Sequence, residues 1–339
     1  MTVEMQLKDI ARALIGPGKG ILAADESTGT IKRRFDSINV ESSFENRRDY
    51  REMLFTTEGA SQFISGVILY DETIRQQSRE GKLLVDILRE QGIIPGIKVD
   101  KSTNPLAGAE GEVITDGLDG LRGRLEEYVD LGAKFTKWRA VINIGKDIPT
   151  SHAIEANAHT LARFAGLSQE AGLVPIVEPE VLMDGDHSIE RCYEITELTL
   201  REVYYQLGHQ NVRLDSTLLK PNMVLSGKEA PNRAGPKEVA QMTVECLKRT
   251  VPAAVPGIVF LSGGQGDEEA TKNLNEINLY GAAVNAPWQL SFSFGRGLQA
   301  APLKAWSGRS ENAHIAKQAF HKRAALASLA RQGKYDSID

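Results

Sequence analysis

The feature that most constrains the fold is a series of eight short apolar segments, each followed by a stretch long enough for a helix. The segments are rich in β-branched residues and lie at 20–24, 63–70, 93–99, 133–141, 173–177, 217–219, 257–261 and 289–294. Strands that are apolar along nearly their whole length have both faces covered, which is typical of a parallel sheet flanked by helices. Eight such units close into a (β/α)₈ barrel.

The same alternation favours one domain over two. A doubly wound open sheet would place a glycine-rich turn after an early strand, and no GxGxxG pattern stands in such a place. No tract rich in proline, glycine or serine divides the 339 residues, and no short-period repeat is present. We therefore predict a single α/β domain over 1–339, a TIM barrel with an N-terminal helix, an extra C-terminal helix at 311–332 outside the barrel, and a short free tail at 333–339.

Composition and charge exclude several classes of partner. The formal net charge is −5, with lysine and arginine spread along the whole length, so neither a nucleic acid nor a membrane surface is expected to bind. The N-terminal residues lack the apolar core of a secretory signal, and the longest apolar runs are too short to cross a bilayer. The two cysteines, Cys192 and Cys246, fit no metal spacing, which is typical of reduced packing residues in a cytoplasmic protein.

Charged side chains follow the apolar part of six of the eight segments. They are Asp25; Asp71 and Glu72; Lys98 and Asp100; Lys137 and Arg139; Glu178 and Glu180; and Lys220. Catalytic residues of a barrel lie at the C-terminal ends of its strands, where inward side chains reach the mouth. Because residues two apart on a strand point to the same side, both members of a pair such as Lys137 and Arg139 are expected to face one cavity.

Two of these residues, Lys137 and Lys220, favour amine chemistry. Each lies within or directly against an apolar run, and lysine is rarely buried without a partner. Pro221 holds Lys220 in extended geometry. A lysine beside apolar residues and a second cation has a lowered pKa, so its free amine can attack a carbonyl and form a Schiff base.

The seventh and eighth segments end in glycines instead of carboxylates. One continues as Ser262, Gly263 and Gly264, and the other as Gly295 and Arg296. Glycines allow close approach of backbone N–H groups to an anion, and an arginine adds bidentate pairing. Since the loops after strands 7 and 8 are the frequent phosphate site of barrels, we predict phosphate binding there.

The carboxylates complete a set of acid–base groups. Glu178 or Glu180 would serve as proton shuttle for a Schiff base, and because two carboxylates on one face repel each other, one of them is expected to keep its proton. Asp25, on a neighbouring strand, is placed to accept a proton from a substrate hydroxyl. Together with the lysines and the phosphate loops, these groups indicate cleavage of a carbon–carbon bond next to a ketone.

No metal and no cofactor are predicted. None of the six histidines stands at a strand end with metal-ligand spacing to another. The nearest approach to a ligand cluster is Asp184, Asp186 and His187, which is typical of a turn before a capped helix. No cofactor motif is present.

Eight motifs, spread over residues 7–335, follow one another in the order that one protein family has them. They are GILAADES, GIKVDK, KWR, VPIVEPE, LLKPNM, LSGGQ, FSFGR and LKAWSG. Together they resemble the class I fructose-1,6-bisphosphate aldolases. The resemblance implies a metal-independent carbon–carbon lyase of the cytoplasm, a homotetramer, which reversibly cleaves fructose 1,6-bisphosphate to dihydroxyacetone phosphate and glyceraldehyde 3-phosphate in glycolysis and gluconeogenesis.

Carried over position by position, the resemblance assigns catalytic roles. Lys220 matches the Schiff-base lysine, and Glu178 matches the proton shuttle for carbinolamine formation and dehydration. Lys137 matches the lysine that positions and polarises the reacting centre. Asp25 matches the carboxylate that takes the C4-hydroxyl proton, and Glu180 matches a second carboxylate of that network.

The resemblance also implies two phosphate sites. The positions that match the C1-phosphate site are Ser262, Gly263, Gly295 and Arg296. Those that match the C6-phosphate site are Ser27, Thr30 and Lys98, with Thr30 in place of the usual serine. We add Gly264 and Arg139 to the predicted substrate-binding residues, from the glycine loop and from the pair with Lys137.

One departure from the family concerns the C-terminus. Animal members continue with a mobile segment that ends in tyrosine and assists proton exchange on the enamine, whereas this sequence ends at Asp339. Tyr335, water or another group would then protonate the enamine.

Two alternatives to this reading involve the same barrel. A transaldolase-like or deoxyribose-phosphate aldolase would use the Schiff base on another phosphosugar and would not need two phosphate sites. A barrel recruited as a binding protein would need none of the catalytic set, although an additional binding role is compatible with activity.

Overall fold

The computed structural model describes residues 2–336, and its centre is a closed barrel of parallel strands. The strands are β1 (Gly20–Ala24), β2 (Ile64–Leu69), β3 (Ile94–Lys98), β4 (Thr103–Pro105), β5 (Val113–Thr115), β6 (Phe135–Ile142), β7 (Val174–Val181), β8 (Leu218–Leu219), β9 (Gly257–Phe260) and β10 (Gln289–Phe294). All except β4 and β5 follow one another around the barrel, and β10 pairs with β1 to close it. The predicted (β/α)₈ barrel is therefore confirmed.

Helices cover the outside of the barrel. They are α1 (Val3–Leu14), α2 (Thr28–Asp36), α3 (Phe44–Phe55), α4 (Asp71–Arg75), α5 (Leu84–Glu90), α6 (Leu121–Asp130), α7 (Ser151–Glu170), α8 (Ile189–His209), α9 (Pro236–Thr250), α10 (Asp267–Ala283), α11 (Arg296–Trp306) and α12 (Ala313–Arg331). Side-chain oxygens of Ser27, Thr150 and Ser188 accept hydrogen bonds from the free N–H groups at the starts of α2, α7 and α8. No helix in the described part of the chain is long and apolar enough to span a bilayer.

Strand alternation divides the apolar side chains between two cores. Ile21 belongs to the core inside the barrel, whereas its neighbour Leu22 belongs to the core between strands and helices. The inner core is closed at one end by α1, which contributes Leu7 and Leu14. The alternation of inward and outward side chains continues past the apolar part of each strand. After the inward residues Ile21 and Ala23, the next inward residue is therefore Asp25.

Strand glycines make room for large aromatic side chains on both sides of the barrel wall. A Cβ added at Gly96 would lie 2.3 Å from ring carbons of Phe135, and one added at Gly20 would lie 2.6 Å from the ring of Phe292. Both distances are far below van der Waals contact, so these strand positions have to be glycine for Phe135 to fill the inner core and Phe292 to fill the outer core.

Three details differ from the sequence prediction. The hairpin of β4 and β5, which follows β3, was not predicted. Strand β7 continues to Val181, whereas the predicted segment stopped at 177, because Glu178 and Glu180 interrupt the apolar run although the backbone stays extended. Strand β8 has only two residues, after which Lys220 still donates its N–H to the carbonyl of Val177.

The C-terminal helix α12 lies where a helix was predicted, and the segment that follows it is anchored. The backbone N–H of Tyr335 donates to Oδ1 of Asn275 on α10 at 2.9 Å, and the ring packs against the outer core. The tail predicted to be free from residue 333 is thus attached at least as far as Tyr335. Residues 337–339 of that predicted tail lie outside the described residues.

Candidate active site

A cavity of about 590 Å³ opens at the C-terminal ends of the barrel strands. The predicted site residues that line it are Asp25, Ser27, Thr30, Lys98, Lys137, Arg139, Glu178, Glu180, Lys220, Ser262, Gly263, Gly295 and Arg296. Gly264 is the one predicted site residue that does not. Many of these residues come together because side chains alternate along each strand, and those at the strand ends continue the inner face of the barrel beyond its apolar core.

The centre of the cavity floor is the ammonium group of Lys137. Its Nζ lies 2.7 Å from Oδ2 of Asp25, 3.1 Å from Oε2 of Glu178 and 4.0 Å from Oδ2 of Asp100, and only 4% of the side chain is exposed. Burial, the largest single influence, would lower the pKa of Lys137, but the three carboxylates raise it well above its ordinary value. Lys137 is therefore a stable cation in the free protein.

The second lysine, Lys220, shares a carboxylate with the first. Its Nζ lies 3.1 Å from Oε1 of Glu178, and its side chain is as deeply buried as that of Lys137. Glu178 thus stands between the two ammonium groups, with one oxygen directed to each; the contact with Lys137 is an ion pair without aligned hydrogen-bond geometry. Lys137 and Lys220 were predicted to destabilise each other's positive charge, but the carboxylate of Glu178 lies between them.

One member of the glutamate pair was expected to keep a proton, and Glu178 is not that member. Burial, again the largest influence, would raise the pKa of Glu178, but Lys137, Lys220 and Arg139 lower it below its ordinary value. Glu180 has a cation of its own, because Nε of Arg139 pairs with its Oε2. Each glutamate faces a positive charge instead of the other glutamate, so the repulsion that would retain a proton on Glu178 is offset.

Asp25 is also ionised. Burial would raise the pKa of Asp25, but the ammonium groups of Lys137 and Lys220 hold it well below its ordinary value. The ionised carboxylate has a free position for the proton of a hydroxyl group that enters the cavity.

The loops after β9 and β10 meet on one wall of the cavity. Gly263 has a φ of 56°, which favours glycine, and its carbonyl accepts a hydrogen bond of 2.6 Å from Nη2 of Arg296. Gly264 is needed for packing, because a Cβ there would lie 2.7 Å from Sδ of Met183. The structure therefore provides one glycine of the predicted SGG sequence to the cavity wall and turns the other toward the protein interior.

A second wall is formed by the start of α2 and the end of β3. The hydroxyl groups of Ser27 and Thr30 lie 3.2 Å apart, and Ser27 also caps the helix by accepting from the N–H of Thr30. Lys98 is held by Asp100, whose Oδ1 lies 2.5 Å from Nζ. A helix N-terminus, two hydroxyls and a lysine make this wall suited to an anion.

Several lining residues were missed from the sequence. They are Ala23, Glu26, Arg33, Arg34, Ser37, Leu261 and Ser293. Arg34 pairs with Glu26, and its position could have been found from helical spacing, since Ser27, Thr30 and Arg34 stand at i, i+3 and i+7.

The carboxylates that follow β2 do not reach the cavity. Glu72 pairs with Arg47 at 2.6 Å and Asp71 with Arg75 at 3.0 Å, at the start of α4. Among residues 2–336, no group of three or more His, Cys, Asp and Glu side chains has an arrangement that could hold a metal ion.

The closed barrel and the lysine–carboxylate cluster at its mouth define a class, the (β/α)₈ enzymes with a lysine-containing active site. The family model for class-I fructose-bisphosphate aldolase matches residues 6–339. A probable fructose-bisphosphate aldolase class 1 from Xanthomonas campestris pv. campestris is 57% identical over 336 residues, 99% of each chain. Fructose-bisphosphate aldolase 4, cytosolic, from Arabidopsis thaliana is 56% identical over 324 residues, 95% of this chain and 82% of that protein.

A solved structure gives the same result. A fructose-bisphosphate aldolase from Plasmodium falciparum, crystallised with TRAP and a small molecule inhibitor, is similar with a TM-score of 0.97 and 48% identity over 99% of this chain and 96% of that one. The chain belongs to the class-I fructose-bisphosphate aldolase family and is accordingly a lyase. The predicted family is confirmed.

The substitution Asp25→Asn tests the electrostatics of the cluster. Folding lowers the pKa of Asp25, so its ionised form stabilises the folded protein at every pH above the pKa in the unfolded chain, which is about 3.8. This stabilisation is lost as the pH falls toward and through the pKa in the folded protein. We expect the free energy of unfolding of the variant to be about 2 kcal/mol smaller at pH 7. The difference should shrink below about pH 4, as measured by urea unfolding at several pH values.

The matched control is Asp36→Asn, which removes an exposed carboxylate paired with Lys32 at 2.8 Å. Since an exposed pair contributes little, this variant should differ from the parent by less than about 1 kcal/mol. A deficit of Asp25→Asn that is the same at pH 7 and at pH 3 would contradict the charge-based explanation.

Proposed function

We propose that this chain cleaves fructose 1,6-bisphosphate reversibly to dihydroxyacetone phosphate and glyceraldehyde 3-phosphate through a Schiff base on Lys220. The observation that carries the proposal is the buried contact of 3.1 Å between Nζ of Lys220 and Oε1 of Glu178 on the cavity floor. An amine at this place needs a partner that removes its proton before attack, and an ionised carboxylate within hydrogen-bond distance is such a partner.

Glu178 carries the protons of the first stage. Its carboxylate takes a proton from the ammonium of Lys220, the free amine attacks C2 of the substrate, and a carbinolamine forms. The proton then returns from Glu178 to the carbinolamine hydroxyl, which leaves as water and gives the protonated imine. Lys137, as a stable cation 3.1 Å from Glu178, favours the ionised carboxylate at the start of this cycle.

Asp25 acts in the second stage. Its carboxylate removes the proton of the C4 hydroxyl, the C3–C4 bond breaks, and its electrons move into the imine, which leaves an enamine on Lys220. Glyceraldehyde 3-phosphate departs, and protonation and hydrolysis of the enamine give dihydroxyacetone phosphate. The contact of 2.7 Å with Lys137 fixes the orientation of Asp25, and the pair Arg139–Glu180 belongs to the same network.

The two anion-binding walls support a bisphosphate over a monophosphate substrate. We assign the C1-phosphate to Ser262, Gly263, Gly295 and Arg296, and the C6-phosphate to Ser27, Thr30 and Lys98. Both sets line one cavity together with Lys137 and Lys220, as a six-carbon sugar with a phosphate at each end requires. Residues 1–339 would act as a single catalytic domain.

Trapping with borohydride tests the nucleophile. Reduction in the presence of dihydroxyacetone phosphate converts an imine to a stable secondary amine, so peptide mapping by mass spectrometry should find the adduct on Lys220. The variant Lys220→Met should remain unlabelled and inactive. The control Lys228→Met, which removes an exposed lysine outside the cavity, should be labelled as the parent is.

An adduct on Lys137, or full activity without any adduct and with sensitivity to chelators, would contradict the proposal. Either result would move the chemistry from Lys220 to another group, whereas loss of the adduct in Lys220→Met alone supports it.

The variant Lys98→Met tests the assignment of the C6-phosphate. Loss of one charge-assisted hydrogen bond to the phosphate should raise KM for fructose 1,6-bisphosphate about tenfold. KM for fructose 1-phosphate, which has no C6-phosphate, should change less than about twofold. Steady-state kinetics on both sugars measures the split, and exposed Lys101 provides the control variant Lys101→Met. Equal increases for both sugars would contradict the assignment.

We also propose a homotetramer in the cytoplasm. Leu198 and Tyr205 stand seven residues apart on one face of α8 and are 47% and 61% exposed, as at a surface that another subunit covers. Light scattering should give four times the mass of one chain, and Tyr205→Glu should reduce that mass while Ile315→Glu, on exposed Ile315 of α12, should not. A parent protein with the mass of one chain would contradict this proposal.

The relative from Arabidopsis thaliana named cytosolic supports the proposed location in the cytoplasm, which cell fractionation tests.

A further inference from the structure

A buried arginine of the C-terminal helix, Arg323, contacts the first turns of two helices that begin beside the cavity. Helix α10 begins at Asp267, four residues after Gly263, and α11 begins at Arg296. Arg323 belongs to neither of these βα units, does not line the cavity, and is 9% exposed. We propose that Arg323 is a positioning residue for the C1-phosphate, because it holds the two phosphate loops at a fixed distance from outside the barrel.

The guanidinium group is divided between the two helices. Its Nε donates to the carbonyl of Gly297 at 3.2 Å, in the first turn of α11. Its Nη2 donates to the carbonyl of Asp267 at 2.8 Å and to Oγ1 of Thr271 at 2.7 Å, both in α10. The carboxylate of Asp267 lies 3.5 Å from Nε. One planar group thereby joins the starts of both helices.

These contacts lie next to the groups assigned to the phosphate. Gly297 directly follows Arg296, and the first turn of α10 follows the loop of Ser262 and Gly263 in the chain. On the cavity side, Arg296 donates to the carbonyl of Gly263 at 2.6 Å. The two loops are therefore linked from both sides, by Arg296 within the cavity and by Arg323 behind it.

The chemistry of arginine suits this bridge. A guanidinium presents several donors in a rigid plane, so it can bond to two helices whose spacing is then set by the plane itself. A lysine in its place has one flexible ammonium and would bond to one helix at a time. Hydrogen bonds to a phosphate depend on donor positions within fractions of an ångström, so loosening the bridge should weaken phosphate binding without removing any catalytic group.

The inference rests on the proposed C1-phosphate site and is tested with two substrates that both carry this phosphate. For Arg323→Met, we expect KM for fructose 1,6-bisphosphate and for fructose 1-phosphate to rise by the same factor, about tenfold, while kcat falls less than about threefold. Arg323→Lys should give a smaller increase of both values, since it keeps the charge and one bond.

The same helix offers a matched control in Arg331. It is buried like Arg323 and donates to the backbone carbonyls of Ile15, Gly16 and Lys19, but at the opposite end of the barrel. Arg331→Met should lower the melting temperature as Arg323→Met does and leave both KM values within about twofold of the parent. A purely structural role of Arg323 would predict the same kinetics for the two variants.

The kinetics of these variants decide whether the inference is right. If Arg323→Met is folded and both KM values are unchanged, or if Arg331→Met raises them equally, the inference is wrong. If Arg323→Met does not fold, the same comparison is made between Arg323→Lys and Arg331→Lys. The inference is wrong if Arg323→Lys leaves both KM values unchanged or if Arg331→Lys raises them equally. The variant Arg296→Met distinguishes an error in the C1-phosphate site from an error in the role of Arg323. Unchanged KM values for Arg296→Met would refute the C1-phosphate site itself. A large increase of KM for Arg296→Met, without an increase for Arg323→Met, would refute only the role of Arg323.

Discussion

The interaction on which the site depends is the burial of the Lys137 ammonium among carboxylates. A buried cation is costly unless it is paired, and here Asp25 and Glu178 lie within about 3 Å of it while Asp100 lies at 4.0 Å. The pairing acts in both directions, because the same cation lowers the pKa values of Asp25 and Glu178. The site therefore holds its proton acceptors ionised before any substrate binds, and this prepares the amine chemistry proposed for Lys220.

The barrel makes such a cluster possible. Parallel strands with an inward parity bring residues that are far apart in the chain to one floor, while apolar residues of the same parity, such as Ile21 and Ile176, fill the interior beneath them. The low-dielectric core under the charges strengthens their mutual interactions. Closure also matters, since β10 places the Arg296 loop beside β1, which carries Asp25.

The helical layer holds the cavity walls in place from outside. Gln299 of α11 donates to the carbonyl of Ala23 at 2.6 Å and to Glu26 at 2.7 Å, and Glu26 in turn pairs with Arg34 on the cavity wall. Arg323 joins α12 to the starts of α10 and α11 in a comparable way. Precise positions in an active site are thus supported by buried polar contacts that the substrate does not touch.

The sequence alone determined the barrel, because strand periodicity and the apolar runs between helices are local properties. Side-chain alternation is local too, and it placed most of the strand-end charges on the inner face; Asp71 and Glu72 are exceptions, because the chain enters α4 directly after β2. Only the tertiary structure decided how those charges pair. Glu178 faces two lysines instead of Glu180, Gly264 packs against Met183, and Tyr335 lies on α10 away from the cavity. Protonation states and loop contacts depend on distances between residues remote in the chain, which alternation and spacing do not contain.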